Sequence, residues 1–317
     1  MANSAPLFVL SEMSSEYFTS LNVPASFFSI LMNIFFIYCM AFQQREQEQL
    51  KQPLNVLQGI LVGCNTTINA FTLLKVCINC FPRYSDVWSY VISQCMVYTM
   101  MTSVTSSFWQ NVFYYCQIIP LQFKFMWLKK NIQVLIYFTL LTSGIVYLFG
   151  LSLITAFTVI VSNNASANDT VMGVPHNSSL LWIIVTWYLV FSLTLAMLVL
   201  NLCGMSTSSC ATVIYLWKHV KNMEESNTLS SPRFQKQIRM TIRSVAIQAL
   251  LYLICSLGVI VDLGIYMYGT LNYDQNQNIL STIVSFYAFG TSITLGFAQS
   301  LFRKQLANAW KRIFPIF

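Results

Sequence analysis

Seven long apolar stretches constrain what this chain can fold into more than any other feature of its sequence. A helix of about 20 apolar residues crosses the roughly 30 Å hydrocarbon core of a bilayer. The approximate limits of the stretches are 20–42, 54–80, 87–117, 133–162, 180–215, 244–268 and 278–302. They are continuous rather than alternating over about ten residues, which favours helices over the strands of a barrel. We therefore expect an all-α bundle of seven transmembrane helices in one domain, 1–317, with a tail at 303–317.

Charged residues are too scarce for a soluble protein of this length. They make up 9% of the 317 residues, whereas hydrophobic residues make up 56%; soluble domains usually contain about 25% charged residues. The nine cysteines are scattered along the chain and do not form the dense pattern of a disulfide-stapled domain. The composition therefore indicates an integral membrane protein.

Basic residues lie almost entirely on one side of the expected membrane. Fifteen of the 17 lysines and arginines follow the first, third, fifth and seventh stretches. Because basic loops tend to remain cytoplasmic, we expect the N-terminus outside and the tail inside. This topology accounts for the net charge of +7, so a nucleic-acid partner has little support. The expected outer loop 163–179 carries sequons, which predict N-glycosylation at Asn164, Asn168 and Asn177.

An outside N-terminus and seven spans match the architecture of receptors that signal through heterotrimeric G proteins, although some transporters and channels share this topology. The rhodopsin-like signatures are missing, because the third span has no Asp-Arg-Tyr, the sixth no Cys-Trp-x-Pro and the seventh no Asn-Pro-x-x-Tyr. Three other segments are distinctive. They read FYYCQIIPLQFKFMWLKKNI at 113–132, LWKHVKNM at 216–223 and SPRFQKQIRMTIRSVAIQALLYL at 231–253.

These three segments resemble the type 2 taste receptors, the bitter taste receptor family. LWKHVKNM is very similar to the family's Leu-Trp-Lys-His-x-x-x-Met at the inner end of span 5, and Asn33 resembles the asparagine of a Gly-Asn pair in span 1. Other positions depart from the family pattern: Asn65 replaces an arginine in span 2, and Thr291 and Ser292 replace a His-Pro or His-Ser pair in span 7.

The resemblance implies a multi-pass plasma-membrane receptor that responds to small bitter compounds through a Gi- or gustducin-type G protein. A vomeronasal, pheromone-type receptor remains an alternative within the same broad class. A small-solute transporter is the alternative from a different class, although the sequence shows no internal repeat or paired Gly and Pro interruptions.

A G protein would contact the receptor at the inner ends of spans 3, 5 and 6. The candidate residues there are Lys129, Lys130, Trp217, Lys218, His219, Lys221, Arg239 and Arg243. For any one basic residue among them, the positive-inside rule is a sufficient explanation. Trp217 and His219 are less well explained in that way.

A ligand is expected in the outer half of the bundle, in an apolar cavity with a few polar groups. Met96, Met100 and Ser103 share one face of span 3. Packing or lipid contact is the ordinary role of such methionines, and a bond to its own helix backbone is the ordinary role of such a serine. An ungapped alignment of span 7 places Ser281 where several family members have an acidic ligand contact. Asp262 is the candidate replacement for that acid.

Two charged residues lie within the outer parts of the spans. Lys75 and Asp262 are functional candidates because charge inside a membrane is costly. The alternative is that both side chains extend to the lipid headgroups.

Catalytic, cofactor and metal sites have no support in the sequence. There is no Gly-rich phosphate loop, no HExxH and no nucleophile motif, and the chain has two histidines. Cys77 and Cys80 have metal-ligand spacing but no second pair nearby. We therefore expect neither metal nor cofactor, and we interpret both cysteines as small buried residues.

Overall fold

The computed structural model describes residues 13–43, 54–80, 85–118, 126–167, 178–225, 232–268, 277–298 and 302. These residues form the helices α1 (Ser15–Gln43), α2 (Leu54–Asn79), α3 (Ser85–Ile118), α4 (Met126–Ala167), α5 (Ser178–Glu225), α6 (Pro232–Tyr268) and α7 (Asn278–Ala298). The predicted all-α bundle is confirmed. Within the described residues, each helix contacts the next in sequence, and contacts between α1 and α7 close the bundle.

Several helices continue beyond the apolar stretches from which they were predicted. The clearest cases are α4, α5 and α6, which extend to Met126, Glu225 and Pro232 on one side of the bundle. Hydropathy marks the part of a helix that faces hydrocarbon, whereas a helix continues until its backbone is interrupted. Accordingly, α6 begins at a proline, which is favourable in a first turn, and α3 ends two residues before Pro120.

The central position of α3 explains its unusual composition. Of the described helices, the six others are long and apolar enough to cross a membrane. Helix α3 contacts α2, α4, α5, α6 and α7, and among its described side chains it buries polar ones from Ser89 to Asn111. By contrast, α1 and α4 expose large apolar side chains such as Phe28 and Leu141. Helix α3 therefore faces protein rather than lipid, which removes the need for a uniformly apolar surface.

The two ends of the bundle are defined by contacts between helix termini. At one end, here called the N-terminal end, α1, α3 and α7 begin and α2 ends: the Lys75 Nζ atom lies 5.6 Å from the Phe18 ring centroid. At the opposite end, the Phe36 ring stacks on Phe302 with 4.5 Å between centroids. Toward this end, the Ser244 hydroxyl of α6 donates to the Thr294 carbonyl oxygen of α7 at 3.4 Å.

Candidate ligand site and signalling surface

Lys75 lies at the centre of a polar cluster that joins α2, α3 and α7. Its ammonium group donates to the hydroxyls of Ser93 at 2.6 Å and Ser281 at 2.7 Å. It also donates to the carbonyl oxygen of Gln277 at 2.9 Å. The side chain is 0% exposed, so the interpretation that Lys75 extends to the headgroups is wrong. Helix α3, helix α7 and the residue before α7 supply these oxygens inside the bundle, and the side chain turns toward them.

A sequence pattern could have revealed this inward orientation. The buried residues of α2 recur every three or four positions and include Asn65, Ile68, Thr72 and Lys75. Residues at this spacing share one helix face. A lysine in register with buried polar residues is therefore expected to point into the bundle, whereas its distance from the end of the span carries no information about direction.

Ser281 belongs to the same cluster. Its hydroxyl lies 3.1 Å from that of Ser93 and donates to the Gln277 carbonyl at 2.8 Å. Gln277 immediately precedes α7 and has a φ of 50°, a value that residues other than glycine rarely adopt. The carbonyl oxygen of Gln277 thus accepts hydrogen bonds from both Lys75 and Ser281, which lies in the first turn of α7.

Met96 and Met100 continue along the same face of α3 as Ser93. Both are 0% exposed and belong to the main hydrophobic core, so the lipid-contact alternative is wrong for both. The Cys255 thiol of α6 donates to the Met100 sulfur at 2.9 Å. Asp262 is half-buried on α6, about two turns beyond Cys255 toward the N-terminal end.

Ser103 connects this face of α3 to α2 and α7. Its hydroxyl donates to Asn65 Oδ1 at 3.4 Å and lies 3.4 Å from the Tyr287 hydroxyl. Both partners are side chains on other helices, so the predicted bond to its own helix backbone is wrong.

The positions that depart from the family pattern contact one another. Asn65 Nδ2 donates to Thr291 Oγ1 at 2.9 Å. Next to this pair, the Ser292 hydroxyl donates to Asn33 Oδ1 at 3.0 Å, and Ser29 lies 3.2 Å from Ser292. Asn69 Nδ2 donates to the Ser29 hydroxyl at 2.8 Å and to the Asn65 carbonyl oxygen at 2.6 Å. Asn65, Thr291 and Ser292 therefore form a single network with Asn33, which comparison of separate motifs missed.

The comparison with protein families agrees with the helical bundle and the three distinctive segments. The family model described as taste receptor protein (TAS2R) matches residues 10–311. The chain belongs to this family. A comparison with curated proteins finds no match. The protein is therefore a taste receptor of the G-protein-coupled type and a multi-pass protein of the plasma membrane. The match decides against the transporter and pheromone-receptor alternatives.

The predicted signalling residues of the receptor lie at the opposite end of the bundle from Lys75. Side chains are described for five of the eight, all of them exposed: Trp217, Lys218, Lys221, Arg239 and Arg243. The side chains of Lys129, Lys130 and His219 lie outside the described residues, although their backbones belong to α4 and α5.

The LWKHVKNM segment has two distinct faces on α5. Leu216 and Val220 are one turn apart and buried, whereas Trp217 is 62% exposed. Lys218 and Lys221 are exposed as well. The aliphatic residues thus hold the end of α5 against the bundle, and the aromatic and basic residues remain accessible.

The paired cysteines and the first of the sequon asparagines lie toward the other end. Helix α4 extends to Ala167 and so includes the backbone of Asn164, while Asn168 and Asn177 lie outside the described residues. Cys77 and Cys80 are both exposed, so their predicted burial is wrong. Cys77 does not fall on the inward face of α2 to which Thr72 and Lys75 belong.

Proposed function

We propose that the receptor binds small bitter compounds between α2, α3, α6 and α7 and activates a Gi- or gustducin-type G protein from the opposite end. The observation that carries this proposal is the convergence of polar groups and methionines on one face of α3, from near its start to its middle. Ser93, Met96, Met100 and Ser103 follow one another at spacings of three and four residues, and all are at most 1% exposed. Ligand sites combine apolar walls with a few placed polar groups.

The proposed ligand contacts are Met96, Met100, Ser103, Ser281 and Asp262. Methionine is unbranched and polarisable, so it adapts to ligands of different shape. Ser103 and Ser281 supply hydroxyls, and Asp262 supplies a carboxylate on α6 near the N-terminal end. A ligand bound among these groups would contact α3, α6 and α7 at the same time.

The proposed orientation places the N-terminal end outside the cell. The positive-inside rule supports it, because the exposed basic residues on α5 and α6 then face the cytoplasm. It also places the sequons at Asn164, Asn168 and Asn177 outside, where we propose that they are glycosylated.

G-protein coupling is proposed for the exposed surface at the ends of α5 and α6, together with Lys129, Lys130 and His219. Coupling requires this end of the bundle to open. The Ser244 hydroxyl of α6 donates to the Thr294 carbonyl of α7 at 3.4 Å. Separation of these helices would break this neutral bond at a cost of about 1 kcal/mol.

The test of the proposed function is calcium release in cells that express the receptor with a promiscuous Gα subunit, screened against a panel of bitter compounds. A responding agonist is then tested on Met100→Ala and on Leu141→Ala, a matched truncation of a side chain that is 65% exposed on α4. We expect a loss of potency for Met100→Ala alone. Silence across the panel at normal surface expression would contradict the proposal.

The coupling surface needs a separate measurement. Agonist-dependent GTP exchange on purified Gi by purified receptor should fall for His219→Ala, Lys218→Gln and Lys221→Gln. Unchanged potency in the His219→Ala variant would argue against a specific role for this histidine.

A further inference from the structure

Gln58 of α2 is a buried glutamine whose amide group is unpaired within the described part of the chain. Its side chain is 0% exposed, and neither Nε2 nor Oε1 has a hydrogen-bond partner there. Three other buried amides of the described residues leave one atom unpaired but bind through the other: Asn22, Asn33 and Asn69. Because buried polar groups in native proteins are nearly always paired, a glutamine with neither atom bonded requires an explanation.

Two hydrophobic clusters adjoin Gln58 along its own helix. Leu57 belongs to a cluster that α2 forms with α3 and α4. Leu61 belongs to a second cluster, which α2 forms with α1, α7 and Phe302. The next buried polar residue on α2 is Asn65, about 10 Å of helical rise away. The amide of Gln58 therefore lies between apolar groups rather than within the polar network around Asn65.

Gln58 lies close to the end of the bundle opposite the N-terminal end, here called the coupling end. Leu61 shares a hydrophobic cluster with Leu295, the residue that follows Thr294. The hydrogen bond from Ser244 to the Thr294 carbonyl thus lies at about the level of Leu61. Gln58 is three residues closer to the start of α2, which is at the coupling end. An opening that breaks the bond between α6 and α7 therefore also opens the bundle at the depth of Gln58.

The direction of Gln58 follows from that of Asn65. Seven residues complete nearly two helical turns, so both residues lie on the same side of α2. Asn65 donates to Thr291 of α7 and accepts a hydrogen bond from Ser103 of α3. Helix α6 contacts both α3 and α7. Separation of α6 from α7, which the proposed coupling requires, therefore admits water to the side of α2 on which Gln58 lies.

The unpaired amide penalises the closed bundle more than the open one. A buried donor or acceptor without a partner loses its hydrogen bonds to water and receives nothing in exchange. In the open bundle water restores both bonds, so the penalty disappears. We infer that Gln58 is a built-in destabiliser of the closed receptor and that it raises basal signalling by favouring opening at the coupling end. This inference rests on the proposed G-protein coupling and names a way in which it is regulated.

The experiment uses the purified receptor in lipid nanodiscs and requires no ligand. Gln58→Met removes both polar atoms and keeps the length of the side chain, and Gln58→Leu is a second apolar replacement. Gln58→Glu keeps the shape but introduces a charge that is more costly to bury. Gln94→Met is the matched control, because Gln94 is a buried glutamine near the N-terminal end whose Nε2 donates to Gln277 Oε1 at 3.5 Å.

Two quantities are measured for each variant: the melting temperature and the rate of basal GTP exchange on purified Gi. We expect both apolar replacements of Gln58 to raise the melting temperature by about 2 °C or more. They should also lower basal exchange by about tenfold. Gln58→Glu should change both quantities in the opposite direction. Gln94→Met should not raise the melting temperature, because it removes a hydrogen bond that exists in the closed bundle.

Three results would overturn the inference. If the melting temperature falls or stays unchanged in both Gln58→Met and Gln58→Leu, the amide is satisfied in the closed bundle, for example by an internal water molecule. An equal rise in Gln94→Met would show a general effect of apolar replacement. A higher melting temperature with unchanged basal exchange would remove the role in signalling. If Gln58→Glu does not fold, the two apolar variants decide.

Failure of the proposed function gives a different result. An unmodified receptor that does not activate Gi contradicts Gi coupling alone, and basal exchange is then compared on the promiscuous Gα subunit. Absence of exchange on that subunit as well, with or without the bitter panel, contradicts the proposed function. The melting temperatures still decide whether Gln58 destabilises the closed bundle.

Discussion

Gly204 of α5 lies against the Phe108 side chain of α3. Its replacement by alanine should loosen this interface. An added Cβ would lie 2.7 Å from Phe108 Cε2 and 3.1 Å from Phe108 Cζ. Ordinary carbon contacts are about 3.5 to 4.0 Å, so α5 and the ring would have to separate by roughly 1 Å. Phe108 cannot yield easily, because it packs against two hydrophobic clusters and its ring centroid lies 5.3 Å from that of Trp109.

Overpacking of this kind costs about 1 to 3 kcal/mol. Alanine recovers up to about 1 kcal/mol through its higher helix propensity, which leaves a net loss near 1 kcal/mol. We expect the melting temperature of the purified receptor to fall by about 2 to 4 °C. The assay is fluorescence of a thiol-reactive dye on heating, because Cys39, Cys116 and Cys255 are buried and become reactive only on unfolding.

Gly144→Ala is the matched control, since its added Cβ meets nothing within 4 Å. It should leave the melting temperature unchanged or raise it slightly. Phe108→Leu combined with Gly204→Ala should cost less than the two single substitutions together, because the shorter side chain makes room for the methyl group. A Gly204→Ala receptor as stable as Gly144→Ala would refute the argument from close packing.

Three further predictions follow from the contacts and exposures above. Cys77 and Cys80 are exposed near the N-terminal end, so a membrane-impermeant maleimide should label them on intact cells; labelling that survives in Cys77→Ser/Cys80→Ser, or that is absent from the unmodified receptor, would contradict the proposed orientation. Asn65→Leu removes the 2.9 Å bond to Thr291 and should lower stability by about 1 to 3 kcal/mol, seen as a lower melting temperature, whereas Asn65→Ser should lose less; equal losses would argue against the network. Asn168→Gln and Asn177→Gln should each increase the electrophoretic mobility of the receptor, but not after treatment with an N-glycosidase. Unchanged mobility in either variant would show that its asparagine is not glycosylated.

The LWKHVKNM segment shows which properties can be predicted from a sequence pattern and which cannot. Its position, its basic character and its membership of α5 all follow from local sequence. The division into a buried face with Leu216 and Val220 and an exposed face with Trp217 depends on which side of α5 meets the bundle. The same limit explains the error at Cys77 and Cys80, where hydropathy indicated burial in a membrane but not the direction in which each thiol points.

The sequence by itself determined the number and order of the helices, the family and an expected topology. These properties depend on local quantities: apolar length matches bilayer thickness, and basic residues cluster in alternate loops. The tertiary structure alone decided which polar side chains meet. Lys75 and Ser93 lie on consecutive helices, but Ser281 lies 206 residues from Lys75, and its hydrogen bond to Lys75 exists only because the bundle brings α7 against α2 and α3. A single sequence does not show which distant segments are in contact, so this cluster could not be predicted from it.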